Sequence, residues 1–219
     1  IIFSGYHWWN YDILSVDIYG NELSHITRNQ WTDTEPISSP DGTQLIFATD
    51  RDGNREIYSL DIAFVDGYYN WVGENLKNIS KNAYFDGDFS FSPNGEKILF
   101  LKYFPENDNY DIYEMNKDGT NKRNISNTSW YEKMPIYSPD GTNIIYQSWE
   151  DNNNMEIYFT HLLEGNQVNI SNSDGDDMIF KGNPFSRDGK EIVFSSNRSG
   201  NREIYIMDIN GTNQTNLSN

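Results

Sequence analysis

Short apolar runs alternate with polar, turn-forming runs along the whole chain. Four apolar triplets occupy residues 45–47, 98–100, 144–146 and 192–194, and each follows a Ser-Pro-Asp-Gly-like run with two residues in between. An apolar run of this length between turn signals is typical of a buried strand. The pattern therefore predicts a strand at each triplet and a tight turn before it.

The residues after each triplet predict further strands. A polar turn leads to an Asn-x-acid-Ile-Tyr pattern at 54–58, 109–113, 154–158 and 201–205. A turn rich in Asp, Asn and Gly then precedes a run that ends in Ile-Ser or Leu-Ser, and a fourth short segment comes before the next Ser-Pro-Asp-Gly-like run. Turns of this kind join antiparallel strands. Each repeat is thus predicted to be a four-stranded antiparallel sheet.

The repeat recurs at intervals of 45 to 53 residues, and self-similarity at such a period indicates a repeat architecture. We predict an all-β, single-domain β-propeller with five visible repeats, the first of which lacks its innermost strand. Either a longer parent chain or an oligomer completes that first blade, or the first blade has only three strands. An insertion near residues 63–73 lengthens the second repeat. The predicted blades cover residues 1–27, 35–80, 88–126, 134–171 and 182–219.

The repeat resembles that of the TolB-type β-propellers. The resemblance rests on Pro-Ile-Tyr-Ser-Pro-Asp-Gly at 135–141 and Asn-Arg-Ser-Gly-Asn-Arg-Glu-Ile-Tyr at 197–205, and it recurs over essentially the whole chain. It implies a bacterial periplasmic or exported setting. Related repeats also occur in propellers that gate peptidases, so the resemblance leaves open both a binding module and an accessory propeller of a larger hydrolase.

Charge narrows the range of partners. The formal net charge is −17 and the pI is about 4.3, which disfavours nucleic acid and anionic lipid because both are recognised through Lys and Arg. The chain has no cysteine, and no apolar run reaches the roughly 18 residues of a membrane-spanning helix. Cationic or neutral ligands fit this balance, and membrane insertion is not expected.

Aromatic residues and acids recur together in the loops that join one blade to the next. Because antiparallel strands reverse at each turn, these loops and the Asn-bearing hairpins are expected on the same face. The candidate ligand-binding residues are Trp31, Asp33, Tyr84, Asp86, Trp130, Glu132, Trp8 and Trp9. This set suits a sugar ring, or a Lys- or Arg-rich peptide, whereas the alternative is that the rings pack between blades and each acid hydrogen-bonds its own loop.

Metal binding and catalysis find less support in the sequence. Asp50, Asp52 and Asn54 alternate as in a calcium loop, but the bidentate Glu of such a loop is missing and only the Asn and the following acid recur in every repeat. Nucleophile elbows and Gly-rich phosphate loops are absent from the sequence. We expect no metal, no cofactor and no catalytic residue, and a non-enzymatic module that recognises a protein or peptide, with a glycan as the alternative ligand.

Overall fold

The computed structural model describes residues 1–7, 9–21, 23–62, 74–149, 154–180 and 182–218. The predicted insertion near 63–73 lies outside the described residues. Within these ranges the chain forms nineteen strands in five antiparallel sheets and no helix. The predicted all-β class and the four-stranded antiparallel repeats are confirmed.

The strands follow one another within each sheet in chain order. The first sheet consists of β1 (Ile2–His7), β2 (Asn10–Ser15) and β3 (Ser24–His25). The second consists of β4 (Asp33–Ser38), β5 (Gln44–Thr49), β6 (Glu56–Asp61) and β7 (Glu74–Asn78). The third consists of β8 (Asp86–Phe91), β9 (Lys97–Phe104), β10 (Asn109–Asn116) and β11 (Arg123–Asn124). The fourth consists of β12 (Tyr131–Tyr137), β13 (Asn143–Trp149), β14 (Met155–His161) and β15 (Gln167–Asn169). The fifth consists of β16 (Asp177–Met178), β17 (Glu191–Ser196), β18 (Glu203–Asp208) and β19 (Thr215–Asn216).

The first strand of each four-stranded sheet starts earlier than the apolar pattern predicts. The predicted blades begin at 35, 88, 134 and 182, whereas these strands begin at Asp33, Asp86, Tyr131 and Asp177. The pattern misses these starts because the opening residues are mostly polar. As a result, the acids that the sequence analysis places in loops lie inside strands.

The chain divides into two compact units, each with its own apolar core. One unit comprises residues 1–87 and 116–121, and the other comprises 88–115 and 122–219. In the first unit, Ile13 of the first sheet packs with Leu45 and Phe47 of the second. In the second unit, the fourth sheet contributes to two such clusters, one with the third sheet and one with the fifth. The cores therefore form where the apolar faces of consecutive sheets meet, and a single propeller domain stays a prediction.

The Ser-Pro-Asp-Gly run closes the turn between the first two strands of a sheet. In the second sheet, Oδ1 of Asp41 accepts hydrogen bonds from the hydroxyl of Ser39 at 2.6 Å and from the hydroxyl of Thr43 at 2.8 Å. These bonds lower the pKa of Asp41 to about 2. Gly42 follows with a φ of 71°, a left-handed conformation that glycine adopts without strain. The run thus fixes a tight turn by local side-chain bonds and one permissive residue.

Candidate functional site

The hairpin that carries the Asn-x-acid motif is bonded to the loop that leads into the next sheet. In the second sheet the side-chain amide of Asn54 donates to the carbonyl oxygens of Asn82 at 3.3 Å and of Tyr84 at 2.5 Å. The same amide reaches Oε1 of Glu56 at 2.9 Å, and Glu56 accepts from the backbone N–H of Asn82 at 3.0 Å. We call this set of bonds the hairpin latch.

The hairpin latch recurs in other sheets. In the fourth sheet, Asn154 donates to the carbonyl oxygens of Ser173 at 2.8 Å and of Gly175 at 2.7 Å. In the first sheet, Asn10 donates to the carbonyl oxygen of Asn29 at 3.0 Å and to that of Trp31. The Asn of the motif therefore joins its own hairpin to the loop that leads into the next sheet. The sequence analysis identified this Asn only as a turn residue.

The calcium-like run of the second repeat is also engaged in hydrogen bonds. Oδ1 of Asp50 accepts from the backbone N–H of Thr32 at 2.8 Å. Oδ2 of Asp52 accepts from the hydroxyl of Tyr58 and from Nδ2 of Asn78, both at 2.7 Å, and these two bonds lower the pKa of Asp52. Across the described ranges, no group of three or more His, Cys, Asp or Glu side chains is arranged to hold a metal ion.

The three candidate acids Asp33, Asp86 and Glu132 lie inside the protein and not on its surface. Each has 0% exposure, and they occupy the first position of β4, the first of β8 and the second of β12. Two residues after each acid, the backbone has a positive φ, at Glu35, Asp88 and Met134. The pairing of β4 and of β12 with the neighbouring strand shifts at these places, as in a β-bulge. In this conformation the acids are not accessible to a ligand at the surface.

The partners of these acids differ between sheets. Oδ1 of Asp33 forms an ion pair with Nη2 of Arg51 at 3.1 Å, and Oδ2 accepts from Nδ2 of Asn29 at 2.7 Å. Asp86 accepts from Nδ2 of Asn82 at 2.6 Å. The acid of the second sheet thus has a cationic partner as well as an amide from its own connecting loop.

Glu132 has a different environment. Oε1 accepts from the hydroxyl of Thr128, and Oε2 has no hydrogen-bond partner among the described residues. Burial raises the pKa of Glu132 to about 8, and the negative charge of Asp111 adds to this effect. At neutral pH the carboxyl group is therefore mostly protonated.

The candidate aromatic residues differ in how far they reach solvent. Trp9 is 88% exposed in the β1–β2 hairpin, and Trp31 is 36% exposed in the next connecting loop. Tyr84 is half-buried. Trp130 is also half-buried, with its ring 5.6 Å from the ring of Tyr158. Trp8 lies outside the described residues. Trp9 and Trp31 thus remain the most accessible candidates, and their role in binding stays a prediction.

A second aromatic group was missed by the sequence analysis. The rings of Tyr103, Tyr110, Tyr131 and Trp149 follow one another with centroid distances of 4.8, 4.9 and 5.4 Å, and we call them the aromatic stripe. Nζ of Lys133 lies 4.9 Å from the Trp149 ring and 5.2 Å from the Tyr131 ring. Tyr131 and Trp149 are direct cross-strand partners. The signal that could have identified them is aromatic residues at the ends of adjacent predicted strands.

Two further observations bear on the setting of these residues. Within the described ranges there is no helix with the length and apolar character needed to cross a lipid bilayer. The ionised side chains close to the exposed rings of the first unit include Arg51, whose guanidinium carbon lies 5.3 Å from the Trp31 ring. The ring of Trp31 therefore lies beside the guanidinium group that forms an ion pair with the buried Asp33.

Comparison with known proteins identifies the repeat. The family model of the TolB beta propeller domain matches residues 73–219. An uncharacterized protein of Agrobacterium fabrum is 26% identical over 108 residues, which are 49% of this chain and 32% of that protein. The chain thus spans about a third of this curated relative.

Solved structures with the same fold include proteins named TolB and proteins named as enzymes. The putative TolB from Agrobacterium tumefaciens has a TM-score of 0.69 at 20% identity, over 94% of this chain and 73% of that one. An oligogalacturonate lyase from Vibrio parahaemolyticus has a TM-score of 0.66 at 19% identity, over 91% of this chain and 55% of that one. A puromycin-hydrolyzing peptidase of Mycobacterium tuberculosis has a TM-score of 0.72 at 14% identity, over 95% of this chain and 34% of that one. At these identities the likeness establishes a fold and not an activity. Because the family model covers more than half of its residues, the chain belongs to the TolB β-propeller domain family.

Proposed function

We propose that this chain is a non-enzymatic recognition module that binds a protein or peptide partner through the aromatic residues of its loops. The observation that carries the proposal is the exposure of Trp9, at 88%, on a hairpin that is fixed by the hairpin latch. Asn10, the next residue, bonds to the carbonyl oxygen of Trp31, so the latch joins the backbone positions of two accessible indoles. Tryptophan is enriched among the residues that contribute most to protein interfaces.

The charge of the chain favours a cationic partner. A net charge of −17 attracts basic peptides and repels acidic ones over distances up to about a Debye length, ~8 Å at physiological salt. Indole faces also attract ammonium and guanidinium groups. We therefore infer a partner segment that contains Lys or Arg, with Trp9 and Trp31 as its aromatic contacts. The family resemblance supports a periplasmic or extracellular location, which fractionation of the native host would test.

A glycan is the second candidate ligand, and the aromatic stripe favours it. Four half-buried rings in succession offer faces on which sugar rings can stack, and Lys133 beside Tyr131 and Trp149 could donate hydrogen bonds to hydroxyl or carboxylate oxygens. Binding of this kind depends little on ionic strength when the sugar is neutral. The two ligand classes are thus distinguishable by their response to salt. An accessory or gating role in a larger hydrolase remains a third alternative, and it would require a catalytic domain in the same polypeptide or complex.

The test is to screen peptide and glycan arrays side by side with the purified chain and two variants. The Trp9→Ala, Trp31→Ala double variant removes the proposed contacts, and Tyr19→Ala is the matched control because this aromatic side chain is 82% exposed in the turn at the other end of β2. We expect binding to Lys- or Arg-containing peptides that weakens with salt, is lost in the double variant and is retained in Tyr19→Ala. Equal binding by the wild-type chain and the double variant would overturn the proposal.

A control must show that any loss of binding in the variants is not caused by unfolding. Trp9 is nearly fully exposed, so Trp9→Ala alone should change the free energy of unfolding by less than about 0.5 kcal/mol. Circular dichroism of each variant should match that of the wild-type chain. Salt-insensitive binding to a defined sugar, with no peptide bound, would replace the peptide proposal by the glycan one.

A further inference from the structure

The second sheet contains a site that holds the guanidinium group of Arg51. Nε donates to Oγ1 of Thr49 at 3.1 Å, and Nη2 donates to Oδ1 of the buried Asp33 at 3.1 Å. The guanidinium carbon lies 4.6 Å from the ring of Tyr58 and 5.6 Å from that of Phe47. A carboxylate, a hydroxyl and aromatic faces therefore surround one cation, and we call this arrangement a guanidinium cage.

The fifth sheet contains the same guanidinium cage around Arg198. Nε donates to Oγ of Ser196 at 2.9 Å, and Nη2 donates to Oδ2 of Asp177 at 2.7 Å. The rings of Phe194 and Tyr205 lie 5.4 and 4.9 Å from the guanidinium carbon. The same geometry thus occurs at equivalent positions in two repeats.

The strand register explains why the two cages are alike. The acid of the first strand is the direct cross-strand partner of the hydroxyl residue of the second, as Asp33 is of Thr49. The same pairing joins Asp177 to Ser196. Within each sheet the two rings are cross-strand partners as well, Phe47 with Tyr58 and Phe194 with Tyr205. Any sheet that has these four residue types in this register has the walls of a guanidinium cage.

The fourth sheet has these four residue types in this register. Glu132 is paired with Ser148, and Tyr146 is paired with Tyr158. The rings of Tyr146 and Tyr158 lie 5.7 Å apart, and Trp130 stands two residues before the acid, as Trp31 does in the second sheet. We call Glu132, Ser148, Tyr146, Tyr158 and Trp130 the fourth-sheet cage.

The fourth-sheet cage differs from the other two in its source of positive charge. Arg51 and Arg198 stand two residues after the hydroxyl residue, and the corresponding residue in the sequence is Glu150, which lies outside the described residues. Among the described residues, Oε2 of Glu132 and Oγ of Ser148 have no hydrogen-bond partner, and both side chains have 0% exposure. These two atoms belong to the residues that correspond to the acceptors of Arg51 and Arg198. Lys133 does not supply the cation for these two atoms, because its ammonium group lies on the rings of Tyr131 and Trp149.

We propose that the fourth-sheet cage binds the guanidinium group of an arginine side chain that a partner supplies. Glu132 and Ser148 would accept hydrogen bonds from Nη and Nε, and the faces of Tyr146 and Tyr158 would line the site, as Phe47 and Tyr58 do for Arg51. The planar fork of arginine matches a carboxylate and a hydroxyl at fixed spacing, which the point charge of lysine does not. Trp130 stands at the position of Trp31 and is partly exposed, so its displacement from Tyr158 would open the path.

This inference rests on the proposed function, because it names a residue of the peptide partner, but its site and residues are separate from Trp9 and Trp31. An experiment can therefore refute the proposed recognition role without refuting the arginine site, and the reverse. Loss of peptide binding in the Trp9→Ala, Trp31→Ala variant tests the recognition role. Dependence on Glu132 and Ser148 tests the arginine site.

The experiment is a calorimetric titration with Nα-acetyl-arginine methylamide, at about pH 8.5 so that a carboxyl group with a pKa of about 8 is largely ionised. The citrulline analogue has the same shape without the charge, and the lysine analogue has the charge without the fork. We expect the arginine compound to bind one equivalent at least about tenfold more tightly than either analogue.

Variants assign the binding to the fourth sheet. Glu132→Gln is expected to weaken binding at least about tenfold while the chain stays folded, because glutamine replaces a carboxyl group of the same shape. Ser148→Ala is expected to weaken it less, by a few fold, because it removes one neutral acceptor. The matched control is Asp177→Asn, which changes the corresponding acid of the fifth sheet, where Arg198 is already bound.

Three results would overturn the proposal. The first is no heat of binding for the arginine compound at millimolar concentration with a folded chain. The second is equal affinity for the citrulline compound. The third is an affinity that Asp177→Asn lowers as much as Glu132→Gln does, since this would mean that binding follows general stability and not the fourth-sheet cage.

Discussion

Replacing Glu132 by glutamine should make the stability of the chain less dependent on pH. Glu132 has a pKa of about 8 in the folded chain, against an ordinary value of 4.5. Between these values the folded chain binds a proton that the unfolded chain has released, so the free energy of unfolding falls as the pH rises. The contribution is fully present below pH 4.5, declines up to about pH 8, and is constant above it.

The expected magnitude follows from the same two values. Each pH unit of difference corresponds to about 1.4 kcal/mol of free energy. Between about pH 5 and about pH 8, the wild-type chain should lose about 3.5 kcal/mol of stability through Glu132, because the group is partly titrated at both ends of this range, and the Glu132→Gln variant should not. Glutamine keeps the shape of the protonated acid and cannot ionise, so the variant should be the more stable protein at about pH 8 and similar at about pH 5.

The assay is unfolding in urea, followed by tryptophan fluorescence at several pH values for both proteins. Urea is preferred to guanidinium chloride because the guanidinium ion could occupy the fourth-sheet cage. Taking the difference between the two proteins cancels the titration of groups that do not interact with Glu132, such as Glu156, whose pKa is also raised by burial. Parallel curves for wild type and variant would refute the reasoning, because they would mean that Glu132 is ionised in the folded chain.

Three further substitutions test the fold. Gly211→Ala should lower the free energy of unfolding by more than about 3 kcal/mol, because the new Cβ would lie 2.4 Å from the carbonyl oxygen of Ile170 in addition to the strain of a φ of 85°. Gly20→Ala, with a φ of 83° and open space around it, should cost only about 1 kcal/mol in the same urea titration, and equal costs would contradict the contact argument. Arg51→Ala should cost about 3 to 5 kcal/mol because it leaves the buried Asp33 without its cation, and a loss below about 1 kcal/mol would show that the ion pair contributes little.

The fold was predictable because the turns and strands of each repeat are specified by residues that are close together in the sequence. The Ser-Pro-Asp-Gly turn, closed by bonds among residues such as Ser39, Asp41 and Thr43, depends on neighbours within five positions. The same turn and strand patterns occur in four repeats, and this agreement supports the same assignment in each of them. Antiparallel sheets of four strands therefore follow from the sequence with little need for long-range information.

The candidate site was harder to predict because its contacts join distant positions. Asp33 and Glu132 are polar residues next to loops, and their complete burial depends on the packing of strands that are distant in sequence. The aromatic stripe combines residues from two sheets, Tyr110 of the third and Tyr131 of the fourth, and no local pattern relates them. The partner of an acid also depends on a residue that is distant in the sequence, as Arg51, in the turn after β5, shows for Asp33.

The hairpin latch separates the stability of the loops from the chemistry they present. Its bonds end on the backbone carbonyl oxygens of Trp31, Tyr84 and Gly175, and not on their side chains. The residue at this position can therefore change in evolution without loosening the loop, and within this one chain it is already an indole, a phenol and a hydrogen atom. A repeat built this way can be duplicated with its connector intact and then diversified at a single site. Selection for a new ligand could act on that position while the framework remains the same.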